Sequence, residues 1–235
     1  TSQMISFWKK LYHKHIKKTR VQTVQLRGRL SDADNEFLKA DAKKYILSAG
    51  GVAKKVQTTK QPIFFEVGFG NGSHIVELAR VHNGALVLGS EMYMAGVVNT
   101  LRSSLRQEIV NLFVTSSDAR VVLKKMPEGS LERVYTLFPD PWPKVRHNKR
   151  RLVKKDFIEL VLSKIKLEGL CVIATDWADY ADEILEVVQT LKMNGQVEET
   201  KLTEEETQNI FKTTFALRAQ KEGREISLFT LKKIK

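Results

Sequence analysis

A single cysteine, Cys171, is the most telling scarcity in this chain. It excludes an internal disulfide and a thiolate metal cluster, and it suits a reducing compartment. Its setting, "GLCVIATDW", reads as a buried strand, so a core residue is expected there and not a nucleophile. No apolar run approaches the ~18 residues that a membrane span needs. The start of the chain has no uninterrupted apolar stretch of the kind a secretory signal carries. The cytoplasm is therefore the expected compartment, with no membrane partner. The five histidines, His13, His15, His74, His82 and His147, form no ligand cluster beyond one His-x-His among lysines, so no metal is expected. Prolines number only five, and three of them crowd into "FPDPWP" at positions 139, 141 and 143.

Acids are missing from two stretches. Residues 1–30 hold eight Lys or Arg and no Asp or Glu, and residues 144–155 hold seven more, again without an acid. Solvated faces usually mix both signs, so one-signed runs in a chain of net charge +12 favour a polyanion as partner, nucleic acid first. Otherwise the composition, 42% hydrophobic and 28% charged, is that of an ordinary globular protein. At 235 residues the expected organisation is a basic N-terminal extension over 1–30 and a single domain over 31–235.

In "ISFWKKLYHKHIKK" the apolar residues fall near helical spacing around Trp8. Ser31 is placed to cap a helix that follows. From residue 63 short apolar strands alternate with amphipathic helices, the pattern of a mostly parallel sheet covered on both faces. Strands are expected at "IFFEVG", "ALVLGSE", "NLFVTSSD", "RVYTLF" and "GLCVIATDW", with helices over 73–81, 95–107, 119–125, 155–166 and 178–191. The tail comprises "QVEETKL", a polar segment over 203–222, and a last strand in "EISLFTLKKI".

The first strand ends at Glu66 and runs into Gly68, Gly70 and Gly72 before a helix. Such a loop, at the carboxyl edge of an open sheet, lets the backbone turn tightly and approach a ligand closely. Glu91 ends the second strand about 20 residues on, where a carboxylate can accept from both hydroxyls of a ribose. The spacing E-x-G-x-G-x-G departs from the dinucleotide G-x-G-x-x-G, and Glu66 sets a negative charge where a pyrophosphate would lie. A cationic ligand without phosphate, S-adenosylmethionine, fits this loop better than NAD. Asp118, after the third strand, can accept from an adenine amino group beside the Ala119 backbone, or cap the next helix, or both.

"FPDPWPKVRHNKRR" follows the fourth strand on the same edge. Prolines fix their own φ and push the preceding residues towards extended conformations, which holds Asp140 on a stiff loop suited to positioning an acceptor. The basic residues after it are expected to grip phosphates. Asp176, after the fifth strand, either faces a bound base or caps a helix. Trp142 is either a stacking surface or a core residue.

Taken together, "FEVGFGNGSHIVELA", "SEMYMAGV", "NLFVTSSDA", "FPDPWPKVRHNKRRLV" and "GLCVIATDWADYADE" resemble the blocks of the bacterial tRNA (guanine-N7-)-methyltransferase family, in its order, over roughly residues 26–235. The resemblance implies a Rossmann-like S-adenosylmethionine-dependent methyltransferase fold: α/β, mostly parallel, with an antiparallel last strand. It implies formation of N7-methylguanosine in the variable loop of tRNA. By position, Glu66, Glu91, Asn111, Asp118 and Asp140 match cofactor or catalytic positions, Asp140 being the catalytic one. Lys144 and Asp176 match substrate positions, joined by Thr213, Thr214, Phe215 and Arg218 of "TTFALR". Arg146, His147, Asn148, Lys149, Arg150 and Arg151 match the RNA-contacting block. The chain departs from the family's T-K-F-E-x-R at Ala216, where a glutamate is usual, and at Tyr93 and Met94, where His and Pro are common. Methylation of an exocyclic base amine, with "DPW" accepting the amine hydrogen, and a noncatalytic RNA-binding relative are the competing readings.

Overall fold

Residues 30–235 are described by a computed structural model. The helix expected around Trp8, and nearly all of the first basic run, lie outside them. Seven strands form one sheet: β1 (Ile63–Val67), β2 (Leu86–Ser90), β3 (Leu112–Thr115), β4 (Leu131–Leu137), β5 (Ile165–Thr175), β6 (Val197–Glu199) and β7 (Ser227–Lys233), in the order β3-β2-β1-β4-β5-β7-β6. β1 to β5 run parallel, and β7 is antiparallel to both of its neighbours. The expected antiparallel last strand is present, inserted between β5 and β6 and not placed at the sheet's edge.

Among the described residues the α-helices are α1 (Asp32–Lys39), α2 (Ala49–Thr58), α3 (Ser73–Val81), α4 (Met94–Arg106), α5 (Ala119–Lys125), α6 (Lys155–Lys164), α7 (Ala178–Met193), α8 (Glu204–Phe211) and α9 (Thr214–Lys221). Ser31 caps α1 through a reciprocal pair with Asp34, as its position predicts. The polar segment over 203–222 is helical: Thr203 and Thr213 cap two successive helices. β5 begins at Ile165, earlier than expected, and its pairing with β4 shifts register between Leu131 and Arg133.

Alternation along the strands sends side chains to two cores, because successive residues point to opposite faces. Phe65, Leu88, Val134 and Ile173 pack with Val52, Val122, Phe157, Ile158 and Ile184 from α2, α5, α6 and α7. Phe64, Val87, Tyr135 and Val172 pack with Ile75, Val97, Leu101, Ile210 and Ala216 from α3, α4, α8 and α9. Cys171 belongs to the first core, and burial pushes its thiol up to about 12, which leaves it inert. With both faces covered, the carboxyl ends of the five parallel strands remain as the edge where side chains converge.

Candidate active site

Across that edge, strand order fixes the sequence of loops: Asp118 after β3, Glu91 after β2, the glycine loop after β1, Asp140 after β4 and Asp176 after β5. The order of connection reverses between β1 and β4, so the glycine loop and the proline loop flank the crevice at which open α/β sheets bind ligands.

The glycine loop is held by its neighbour. Glu91 accepts from the Gly70 N–H through Oε2 (2.8 Å) and from the Tyr93 N–H through Oε1 (2.7 Å). Gly68 and Gly70 have φ of +69° and +57°, and a Cβ on Gly68 would meet nothing within 4 Å. That space lets a ligand approach the backbone, which is the fit an S-adenosyl group requires here. Gly72 serves packing instead of ligand approach, since a Cβ there would stand 2.0 Å from Thr100 Oγ1 on α4. Burial raises the Glu91 carboxyl above its ordinary value; the N–H groups of Tyr93, Gly70 and Met92 oppose this, and the charge of Asp140 adds to it. Asp140 thus acts electrostatically on Glu91 across the crevice.

Glu66 is 2% exposed at the end of β1, with Oε2 hydrogen-bonded to His74 Nδ1 at 2.8 Å. The His74 ring in turn packs on Tyr135. His74 was invisible as a site residue, because a lone histidine on a helix carries no signal until the fold sets it against Glu66. Asp118 caps α5, accepting from the Arg120 N–H at 2.8 Å, and also pairs with the Arg120 guanidinium at 2.9 Å. Asn111 does not join the group. It precedes β3 at the opposite edge, where its Nδ2 donates to the carbonyls of Ala79, His82 and Ala85 and closes the turn between α3 and β2.

The proline loop departs from the expected extended form. Phe138 and Trp142, each preceding a proline, take φ of +50° and +46°, a left-handed conformation that costs a non-glycine residue about 1–3 kcal/mol. Asp140, between them, is exposed. A 3-10 helix follows over Val145–Arg150. Arg150 lies over the Trp142 ring at 4.9 Å and the His147 ring meets it edge-on at 6.0 Å, so the tryptophan is neither core nor an open platform on every side. With its amide nitrogen, and not its oxygen, assigned to the side that faces them, Asn148 donates to the Trp142 and Lys144 carbonyls and shapes the loop from within. Lys144, Arg146, Lys149 and Arg150 are exposed, but Arg151, expected beside them, is 3% exposed.

Asp176 is held by Arg224, whose Nε and Nη2 reach Oδ2 at 2.9 and 2.7 Å. Arg224 lies 48 residues away and had no motif to mark it. The substrate block divides by helix face. Thr213 and Ala216 are buried, with the Thr213 hydroxyl donating to the Ile210 carbonyl and accepting from the Ala216 N–H. Thr214 accepts from Asn71 of the glycine loop at 2.7 Å. Phe215 is 51% exposed and stacked on Phe138, and its ring edge lies 3.6 Å from where a Gly70 Cβ would be. Arg218 is exposed and paired with Glu222. Phe215 therefore roofs the crevice between the two loops.

Several solved structures share this architecture. The 16S rRNA methyltransferase KamB superposes with a TM-score of 0.54 at 15% identity, covering 88% of this chain and 95% of that one. An rRNA methylase from Streptococcus thermophilus gives 0.52 at 15% identity, covering 80% and 95%. The expected Rossmann-like methyltransferase fold is the fold observed. In sequence, the chain is 47% identical over 131 residues to a tRNA (guanine-N(7)-)-methyltransferase of Pectobacterium atrosepticum, covering 55% of each. It is 45% identical over 135 residues to the one of Photorhabdus laumondii, covering 57% of this chain and 54% of the relative. A bifunctional methyltransferase of Rickettsia conorii is 34% identical over 169 residues, covering 72% of this chain and 31% of that one. The chain thus spans about half the length of the first two relatives. The profile of a family described as putative methyltransferase matches residues 60–228, from the strand before the glycine loop to the last strand. With the crevice, the glycine loop and the proline loop all inside that match, the chain belongs to this putative methyltransferase family.

Proposed function

We propose that this protein transfers a methyl group from S-adenosylmethionine to N7 of a guanine in the variable loop of tRNA, in the cytoplasm. The observation that carries the reading is the setting of the crevice: Asp140, on a strained loop, is near enough for its charge to act on Glu91, which holds the glycine loop, and an exposed basic helix comes next in the chain. The likeness to proteins named tRNA (guanine-N(7)-)-methyltransferase supports the choice of acceptor.

S-adenosylmethionine, when bound, supplies a methyl carbon on a sulfonium. Glu91, the open backbone at Gly68 and the adjoining Gly70 are the residues that would hold it, with Asp118 at the adenine end and Glu66 near the ammonium. Guanine N7 carries a lone pair and no proton, so no general base is needed and placement supplies most of the rate. Asp140 has two tasks: to orient the base, and to favour the positive charge that reaches the purine as N7 is alkylated. Asp176, with Oδ2 fixed by Arg224, presents its remaining oxygen as an acceptor for the guanine edge. Ala216 is fully buried, so this chain has no carboxylate at that position and Asp176 carries the recognition.

Incubation with labelled S-adenosylmethionine and unmodified tRNA, followed by nucleoside analysis, tests the reading. Label in N7-methylguanosine is the expected result. Label on an exocyclic amine would move Asp140 to accepting an amine hydrogen, and tRNA binding without label would make the chain a noncatalytic RNA-binding relative.

A further inference from the structure

The last arginine of the basic block does not face solvent. The Arg151 side chain has 0% exposure. Its Nη2 pairs with Asp179 Oδ2 at 2.8 Å, its Nη1 with Glu183 Oε1 at 2.9 Å, and its Nε donates to the Pro141 carbonyl at 2.8 Å. The guanidinium also lies 4.7 Å above the Tyr180 ring. A planar fork with a partner on every nitrogen, an aromatic face beneath it and no exposed surface is not presented to a phosphate.

The two ends of this contact belong to different elements. Pro141 follows Asp140 in the strained loop, whereas Asp179, Tyr180 and Glu183 lie on α7, the helix that begins just after Asp176. Residues on both sides of Asp140, Phe138 and Trp142, hold positive φ, and a strained conformation persists only where its surroundings over-determine it. We propose that Arg151 is a positioning residue: it fixes Asp140 relative to Asp176 by tying the Pro141 carbonyl to α7, and it contacts no RNA phosphate. Arg146 and Arg150 face solvent and grip the RNA, and Arg151 holds the loop they flank. This inference rests on the methyl-transfer reading above.

Salt dependence separates the two roles, because each phosphate contact contributes about 0.7–0.9 to the slope of log affinity against log salt. The full chain and its Arg151→Lys, Asp179→Asn and Arg150→Gln variants are compared for tRNA binding at several salt concentrations, for thermal melting, and for turnover with labelled S-adenosylmethionine. Arg151→Lys keeps the charge and loses the fork, so turnover should drop on the order of a hundredfold while the tRNA Kd and salt slope stay at wild-type values. Asp179→Asn removes an anchor and no cation, and should lower turnover about tenfold with the slope again unchanged. Arg150→Gln should reduce the slope by nearly one contact. A lowered slope in Arg151→Lys, or wild-type turnover in both Arg151→Lys and Asp179→Asn, would overturn the inference. If the Arg151 variant fails to fold, wild-type turnover in Asp179→Asn overturns it alone. A wild-type chain that binds tRNA but transfers no methyl group defeats the functional reading instead, and the slopes still report whether Arg151 meets a phosphate.

Discussion

Asp140 and Glu91 are two carboxylates facing one crevice, and their surroundings separate their tasks. Asp140 is exposed on a rigid loop, whereas Glu91 is held by two backbone N–H groups and raised by burial. Asp140→Asn keeps the shape and removes the charge, so methyl transfer should fall about 10²–10³-fold with tRNA affinity retained; single-turnover assays alongside filter binding check both halves. Glu91 offers both carboxyl oxygens as full acceptors only when ionised, and its ordinary value of 4.5 is raised in the fold. As pH falls, S-adenosylmethionine affinity should therefore weaken sooner than a normal glutamate would allow, and calorimetric titration of Glu91→Gln should show weak binding with that pH dependence removed. Stability runs the other way. A carboxyl whose folded value is raised binds its proton more tightly folded than unfolded, so its contribution is most favourable below pH 4.5 and declines as pH rises through the raised value.

α9 shows what an element can hide. Residues 213–218 match a substrate block in sequence, but on a helix they cannot all face one site, and Thr213 and Ala216 turn inward while Phe215 and Arg218 turn out. Restoring a glutamate by Ala216→Glu would set a carboxylate at a position of 0% exposure. The expected outcome is a loss of about 2–5 kcal/mol, read by denaturant unfolding, and no gain in turnover. The same limit explains which elements were legible. β1 to β5 and their helices announce themselves by apolar period and length. α8 and α9 read only as a polar segment because each shows just a narrow buried stripe, Ile210 in one and Ala216 with Ala219 in the other. The spacing Thr203-x-x-Glu206 was the available capping signal. α2 begins with a glycine pair that lowers helix propensity, and Ser48 caps it. Site residues supplied by consecutive motifs were readable; Arg224, His74 and Arg151 acquire their roles from partners that only folding brings near.

At the scale of the whole molecule, the net charge of +12 matters through where its exposed part lies. The block after the proline loop presents Lys144, Arg146, Lys149, Arg150 and Lys155 on the surface, and Lys154 partly so, while Arg151 is withdrawn. Six cations beside the crevice, each displacing a counterion at about 0.7–0.9 per phosphate, predict a salt slope near −5 and a loss of about a thousandfold in affinity between 50 and 200 mM salt. Of the acids on α7, Asp179 and Glu183 share the Arg151 cation, which offsets one of their two charges. The withdrawn arginine thus also halves the net negative charge that these two carboxylates would turn towards the RNA backbone. Charge reversal of Arg146 and Arg150 together should lower the slope by about two contacts and weaken tRNA binding while leaving S-adenosylmethionine affinity unchanged, since the glycine loop and Glu91 lie across the crevice. A slope steeper than −5 in the wild type that survives this double reversal would assign the excess to the eight cations of residues 1–30, and electrophoretic mobility shifts over a salt series would measure it.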